Sequence, residues 1–374
     1  MNRNEPLRLG FGCLRLPRNN PDDASDVNLD EMKRMVDAFI GAGFRYFDTA
    51  YSYLNRKSEC FVREALTSRY PRDRYELTTK LPCLEMSAAD SPERYLDEQL
   101  EKCGVDWFDG YLLHSLDAAH YALAERAGWF EFLQRVKQTG RARRVGFSFH
   151  DTADVLDRIL TAHPEVDVVQ LQLNYLDWEN PIIQSRACYE VCVRHGKPVI
   201  VMEPVKGGTL ANPPEAARRA LERIHPDRAP ADWALRFAAG LPGVTMVLSG
   251  MSDMAQLTEN MRTLSRPEPL TDAEREALAR CGQIIRESVA IPCTGCAYCA
   301  EGCPRAIPIP QLFALYNEDR RDGWQANARS RYVHATQAGG RASDCLGCGR
   351  CMRSCPQHID IVSGLRQVAA RLER

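Results

Sequence analysis

Tyr75-Glu-Leu-Thr-Thr-Lys80, Pro92-Glu-Arg-Tyr-Leu-Asp-Glu-Gln-Leu-Glu-Lys-Cys103 and Trp107-Phe-Asp-Gly-Tyr-Leu-Leu-His114 follow one another with short links between them. The outer two are short β-rich runs that end in a polar residue. The middle one reads as a helix of mixed charge. Strand, helix and parallel strand form the repeating unit of an α/β fold, and the same unit recurs in both directions along the chain.

Strand candidates are Phe11–Leu14, Arg45–Asp48, Tyr75–Lys80, Trp107–His114, Arg144–Ser148, Val168–Gln172, Val199–Met202 and Val244–Ser249. Helical stretches between them include Leu29–Ile40, Pro92–Cys103, Trp129–Gln138, Thr152–Thr161, Ile182–Arg194, Pro213–Ile224 and Ala229–Ala239. Alternation of this kind over about 250 residues fits a (β/α)8 TIM barrel. A doubly wound sheet is the competing α/β arrangement, but its glycine fingerprint is missing. Gly207 and Gly208 follow Lys206 without the spacing of a phosphate-binding loop.

Chemistry in such barrels sits at the C-terminal ends of the strands. The residues there are Asp48, Lys80, His114, Ser148, Gln170, Asn174, Glu203 and Ser249. Each alone reads as a solvated loop residue. An aspartate, a lysine and a histidine on three neighbouring strand ends would instead converge on one pocket mouth. A lysine beside a tyrosine favours the phenolate, and an aspartate paired with that lysine holds it charged. The result is a general acid for a carbonyl oxygen, with Tyr46, Tyr51 and Tyr53 as the tyrosines near Asp48.

The chain has 374 residues and a formal charge of −2 from 48 basic and 50 acidic side chains, so nothing in it favours nucleic acid or an anionic membrane. Met1 to Asn20 is polar, and no apolar run has the length of a membrane span. A cytoplasmic protein is the expectation.

Fifteen cysteines are present. Cys13, Cys60, Cys83, Cys103, Cys188, Cys192 and Cys281 are scattered and read as buried small apolar side chains. The other eight form two runs, Cys293-x-x-Cys296-x-x-Cys299-x-x-x-Cys303-Pro304 and Cys345-x-x-Cys348-x-x-Cys351-x-x-x-Cys355-Pro356. Both match the bacterial ferredoxin spacing, in which three thiolates wrap one [4Fe–4S] cluster and the fourth reaches the other. Cys293, Cys296, Cys299 and Cys355 are therefore assigned to one cluster, and Cys345, Cys348, Cys351 and Cys303 to a second. Paired four-thiolate zinc sites are the alternative, but zinc sites use two separated pairs of ligands. Helices expected over Gln311–Asp322, Gln325–Ala335 and Ile361–Leu372 would mount the clusters in a mainly helical domain. Residues 1–280 then form the barrel and 281–374 the ferredoxin-like domain.

Gly43-Phe-Arg-Tyr-Phe-Asp48-Thr-Ala-Tyr-Ser-Tyr53 resembles the signature of the aldo-keto reductases, Thr79-Lys80 their lysine strand and Tyr111-Leu-Leu-His114 their histidine strand. The likeness spans residues 9–265, and the whole chain resembles a bacterial branch with a C-terminal ferredoxin-like domain, including its Leu315-Tyr316-Asn317 element. The resemblance implies reduction of an aldehyde or ketone by NADP(H) or NAD(H). Asp48, Tyr53, Lys80 and His114 would be the catalytic tetrad. Ser148, Gln170, Asn174, Met202, Glu203, Glu259 and Asn260 would bind the nicotinamide cofactor. Met202 stands where the family often has an aromatic ring, and the basic residues that grip a 2′-phosphate in many members are missing around Gly250-Met251-Ser252 and Gln256. Hydride transfer moves two electrons and a cluster normally one, so the clusters either serve a flavoprotein or other redox protein partner, are structural or sensory, or couple directly to substrate. A different class of reading is an electron-transfer subunit whose barrel binds nucleotide without turnover.

Overall fold

A computed structural model describes residues 7–20, 23, 25–322 and 328–373. It comprises two compact units, Met1–Pro204 with Ala231–Leu270, and Val205–Pro230 with Thr271–Arg374.

The first unit holds a closed barrel of eight parallel strands in sequential order. They are β1 (Leu9–Gly12), β2 (Tyr46–Asp48), β3 (Glu76–Leu81), β4 (Phe108–Leu116), β5 (Ala142–Phe149), β6 (Val168–Gln172), β7 (Val199–Met202) and β8 (Val244–Gly250). Tyr46, Leu112, Val168, Ile200 and Leu248 form a buried cluster drawn from five of these strands, so this is a packed core and no pore. Close strand contact needs glycine at one point in particular: a Cβ on Gly146 would lie 1.9 Å from the Val168 carbonyl oxygen. Phe11 of β1 and Phe47 of β2 stack, and Phe39 meets both edge to face, with ring centroids 5.3–5.5 Å apart, which fixes the helix Leu29–Gly41 against β1 and β2.

Every expected strand is present, with β1 starting two residues earlier because Leu9 and Gly10 pair with Val247 and Leu248. Helix Pro92–Cys103 starts at the N-cap Ser91 and ends at the left-handed Gly104. The expected helix from Thr152 begins at Ala153, because Thr152 has the extended backbone of a cap. The helix expected from Ile182 begins at Ser185, after a left-handed Gln184. Helices Ala118–Ala127 and Met254–Ser265 lie outside the sequence reading. Each is capped by an aspartate, Asp117 or Asp253.

The second unit is helical. Asp272–Ser288 opens with a reciprocal capping box between Thr271 and Glu274 and packs against Glu215–Glu222. Ile309–Asp322 and Ile361–Leu372 pack together around Leu312, Phe313, Leu365 and Val368. The short helix Ala328–Ala335 joins them; the residues expected to precede it, 325–327, fall outside those described. Asn317 exchanges two hydrogen bonds with the backbone of Ile291, which anchors the chain just before Cys293.

Candidate functional site

Asp48 ends β2, Lys80 lies next to the end of β3, and His114 precedes the end of β4. Parallel register aligns Asp48 with Thr78 and Lys80 with Leu112, so adjacent strands deliver these side chains to the same end of the barrel. Lys80 is buried and its Nζ donates to Asp48 Oδ1 at 2.6 Å and to the Thr49 carbonyl at 2.7 Å. Its third contact is the Tyr53 hydroxyl at 3.4 Å. An ammonium carries three protons, and these three oxygens account for them.

Geometry also separates the three tyrosines. Tyr46 bonds Thr78 Oγ1 at 2.8 Å within the buried sheet. Tyr51 donates to Glu98 at 3.2 Å, and burial together with that carboxylate pushes its hydroxyl up to about 12. Only Tyr53 among them reaches Lys80, and its ring lies 5.7 Å from that of His114, centroid to centroid. The chain then turns sharply through left-handed Leu54, Asn55 and Arg56. Non-glycine residues in that region are uncommon and concentrate where surrounding structure imposes them.

Burial pushes the Asp48 carboxyl above its ordinary range, against the opposing pull of Lys80 and Gln170. Burial, then the charges of Lys80 and His150, hold His114 well below 6.5. Its imidazole is neutral at pH 7, with one ring nitrogen donating and the other accepting. His114 is set at an irregularity in β4–β5 pairing, where left-handed Ser115 donates its N–H to Ser148 Oγ at 2.7 Å.

Among the remaining strand-end residues, Gln170 donates to Asp48 Oδ2 at 3.4 Å. Asn174 is spent on its own loop: Nδ2 donates to Asp177 and the Glu203 carbonyl, and Oδ1 accepts from Leu176 and Asp177 N–H. Met202 ends β7, and Glu203 follows in a left-handed conformation with Arg15 3.8 Å from its carboxylate. Glu259 and Asn260 lie on helix Met254–Ser265, where Asn260 donates to Ser249 Oγ at 3.0 Å.

The eight clustered cysteines line two cavities in the second unit. Cys293, Cys296, Cys299 and Cys355 line one. Cys303, Cys345, Cys348 and Cys351 line another. Each group combines three thiols of one run with the fourth of the other. The thiols ring a space instead of meeting at one point: among the described residues, no three His, Cys, Asp or Glu side chains converge as a single ion requires. Four thiols set around a space, three of them from one run with two-residue gaps, suit a cubane better than a zinc ion. The loops are curled by Gly295 and Gly347, both left-handed, and Gly295 N–H points at Cys293 Sγ at 3.4 Å.

The model of the aldo/keto reductase family matches residues 8–283. The chain belongs to the aldo/keto reductase family. A 4Fe-4S dicluster domain model matches residues 292–359. An aldo-keto reductase of Mycobacterium sp. strain MCS is 27% identical over 252 residues, covering 66% of this chain and 81% of the relative. The NADPH-dependent alpha-keto amide reductase of Saccharomyces cerevisiae is 31% identical over 193 residues, 50% of this chain and 57% of that one. Among solved structures, the holo form of an aldo-keto reductase from Bacillus halodurans superposes with TM-score 0.59 at 23% identity, covering 73% of this chain and 91% of that one. A Klebsiella pneumoniae aldo-keto reductase in complex with NADPH gives 0.56 at 20% identity, covering 74% and 90%. At these identities the structural likeness concerns the fold.

Behind the Lys80 strand this aldo-keto reductase carries a buried polar network that the sequence reading missed. Glu59 Oε1 accepts from Thr79 Oγ1 and Gln99 Nε2, both at 2.7 Å. Gln99 also donates to the Lys80 carbonyl at 3.0 Å and accepts from the Tyr111 hydroxyl at 2.7 Å. Burial raises the Glu59 carboxyl to about 7. In sequence Glu59 is one charge in a short polar stretch, and no spacing distinguishes it from a surface residue. No helix among the described residues is long and apolar enough to cross a membrane.

Proposed function

We propose that this aldo/keto reductase reduces an aldehyde or ketone, with NADPH or NADH as hydride source and Tyr53 as proton donor. The observation that carries the reading is the three-way contact of Lys80 Nζ with Asp48, Thr49 and Tyr53. A fixed ammonium next to a phenol stabilises the phenolate left when the proton departs. Asp48 and Thr49 hold that ammonium so that it does not reorient during the transfer. The neutral imidazole of His114 donates a hydrogen bond to the carbonyl oxygen and aligns it, while Tyr53 gives up its proton at Oη. Positioned acid catalysis of this kind contributes roughly 10²–10⁴ in rate.

A bound nicotinamide supplies the hydride, and the residues assigned to it are Ser148, Gln170, Asn174, Met202, Glu203, Glu259 and Asn260. Asn174 contributes by shaping its loop and Asn260 by tying helix Met254–Ser265 to the end of β8, since their amides already bond Asp177 and Ser249. Cys293, Cys296, Cys299 and Cys355 hold one [4Fe–4S] cluster, and Cys303, Cys345, Cys348 and Cys351 the other. Bound clusters supply one-electron transfer. We assign them to exchange with a flavoprotein or other redox protein, and residues 281–374 to that task while residues 1–280 bind nucleotide and carbonyl.

The test is a panel of aldehydes and ketones with NADH and NADPH under anaerobic conditions, using wild type and Tyr53→Phe. Oxidation of nicotinamide that requires a carbonyl and is lost in Tyr53→Phe supports the reading. Tight nucleotide binding with no turnover across the panel would instead favour an electron-transfer subunit.

A further inference from the structure

We infer that the second cluster site is the protein's electron port, and that the face around Leu346 docks an acidic electron-carrier protein. The inference rests on the redox reading of the clusters given above.

The two cysteine runs repeat in step, so each residue of one has a counterpart in the other. Left-handed backbone recurs at Gly295 and Gly347, at Ala297 and Gly349, and at Ala306 and His358. Yet the counterparts differ sharply in exposure. Thr294, after the first cysteine of its run, is 5% exposed, whereas its counterpart Leu346 is 60% exposed. Gln357, after Cys355-Pro356, is 7% exposed, whereas its counterpart Arg305, after Cys303-Pro304, is exposed.

Within the same unit, the segment after Val205 seals the first site. Buried Lys206 donates to Gln357 Oε1 at 2.9 Å. Gly207 packs so closely that a Cβ there would lie 2.3 Å from the Thr294 carbonyl oxygen. Thr294 and Gln357 both line the first cavity. At the second site the corresponding packing reaches only the backbone: the Gly340 N–H donates to the Arg305 carbonyl at 2.9 Å, while the Arg305 and Leu346 side chains stay exposed. There Cys348 is exposed, and Leu346 and Met352 (38% exposed) present apolar surface beside it. A thiol that ligates a cluster at an open, apolar surface gives a short path for an electron, and electron-transfer contacts are small and transient.

Charge selects the partner. Arg305 and Arg350 line the second cavity and Arg353 lies one helical turn beyond, all exposed. None of the three forms a salt bridge with a described residue. An apolar centre with an arginine rim complements a carrier with acidic residues around its own redox centre. In the exchange one electron leaves the reduced cluster and enters the carrier. No covalent bond changes, and any proton taken up belongs to the carrier's cofactor.

The experiment uses holoprotein reduced with dithionite and mixed in a stopped-flow instrument with an acidic carrier, oxidised cytochrome b5, or a basic one, oxidised cytochrome c. Raising salt from about 0.01 M to about 0.3 M should slow the acidic carrier at least roughly tenfold and leave the basic one unchanged or faster. Arg350→Glu/Arg353→Glu should abolish the salt sensitivity toward cytochrome b5 and slow its reduction at low salt by about tenfold or more. Iron content and the reduced-cluster EPR signal should stay as in wild type. Rates with cytochrome b5 that ignore salt, or a double variant that matches wild type, would overturn the port while leaving redox-active clusters intact. Clusters that dithionite cannot reduce would overturn the redox reading and the port together. The wild-type salt series decides the matter even if the double variant assembles poorly.

Discussion

Lys80 Nζ lies 2.6 Å from Asp48 Oδ1, and both side chains are almost wholly buried. An ion pair withdrawn from water this fully is held by geometry as much as by attraction, because desolvation offsets much of the Coulomb gain. Its effect on Tyr53 is positional: the same ammonium that is pinned to Asp48 and Thr49 stands 3.4 Å from the phenol oxygen.

Breaking that pair should be costly for the fold as well as for turnover. Lys80→Met leaves the Asp48 carboxyl buried without its cation, and removing one partner of such a pair costs about 3–5 kcal/mol. Asp48→Asn/Lys80→Met should therefore be more stable than Lys80→Met alone, while remaining inactive. Thermal unfolding of the variants checks this, and equal stability of the single and double variants would count against a strong buried pair.

Tyr53→Phe should lower kcat by at least about 10²-fold and leave nicotinamide affinity nearly unchanged. Steady-state kinetics with cofactor titration separates the two effects. Tyr51 is the natural control: its hydroxyl donates to Glu98, away from Lys80, so Tyr51→Phe should retain most of the activity.

Glu59 gives the barrel a pH dependence of its own. Its carboxyl moves from an ordinary 4.5 to about 7 on folding, because burial disfavours the charged form. The folded state thus binds the extra proton between those values. Its contribution is fully present below pH 4.5 and is lost as pH rises through 7. Glu59→Gln cannot ionise, so its stability relative to wild type should increase as pH rises from 4.5 to about 7 and level off above that. Denaturant melts across that range would show it, and a constant difference would mean that Glu59 is ionised throughout.

The proposed ligation across the two cysteine runs predicts a pattern of iron loss. Reconstituted protein should carry about eight irons, four per cluster. Cys355→Ala should lose roughly half, and adding Cys293→Ala should cost little more because both line the same cavity. Adding Cys345→Ala to Cys355→Ala should remove most of the remainder, since Cys345 lines the other cavity. The reverse result, with Cys345 redundant and Cys293 additive, would mean that each run wraps its own cluster.

The barrel was legible from the residues because a strand–helix–strand repeat is a one-dimensional signal. Each β-rich run ends in a polar residue, and parallel pairing brings those ends together whatever the connecting loops do. Cysteine spacing was equally direct, since three ligands in seven residues leave the chain few ways to curl. The residues alone left Tyr46, Tyr51 and Tyr53 open and only the family resemblance named Tyr53; the tertiary structure supplies the physical reason, since a turn through left-handed Leu54, Asn55 and Arg56 follows Tyr53 and Tyr51 finds Glu98 on a helix far along the chain. Glu59 looks like surface charge until Thr79 and Gln99 close around it. The same holds for the unequal cluster sites. Their sequences are near repeats, and only packing shows that Lys206 and Gly207 cover Thr294 and Gln357 while Leu346 and Arg305 stay open. Local pattern sets which backbone forms and where ligands can fall along it. Burial and charge environment depend on which distant segments arrive, and no spacing within the runs encodes that.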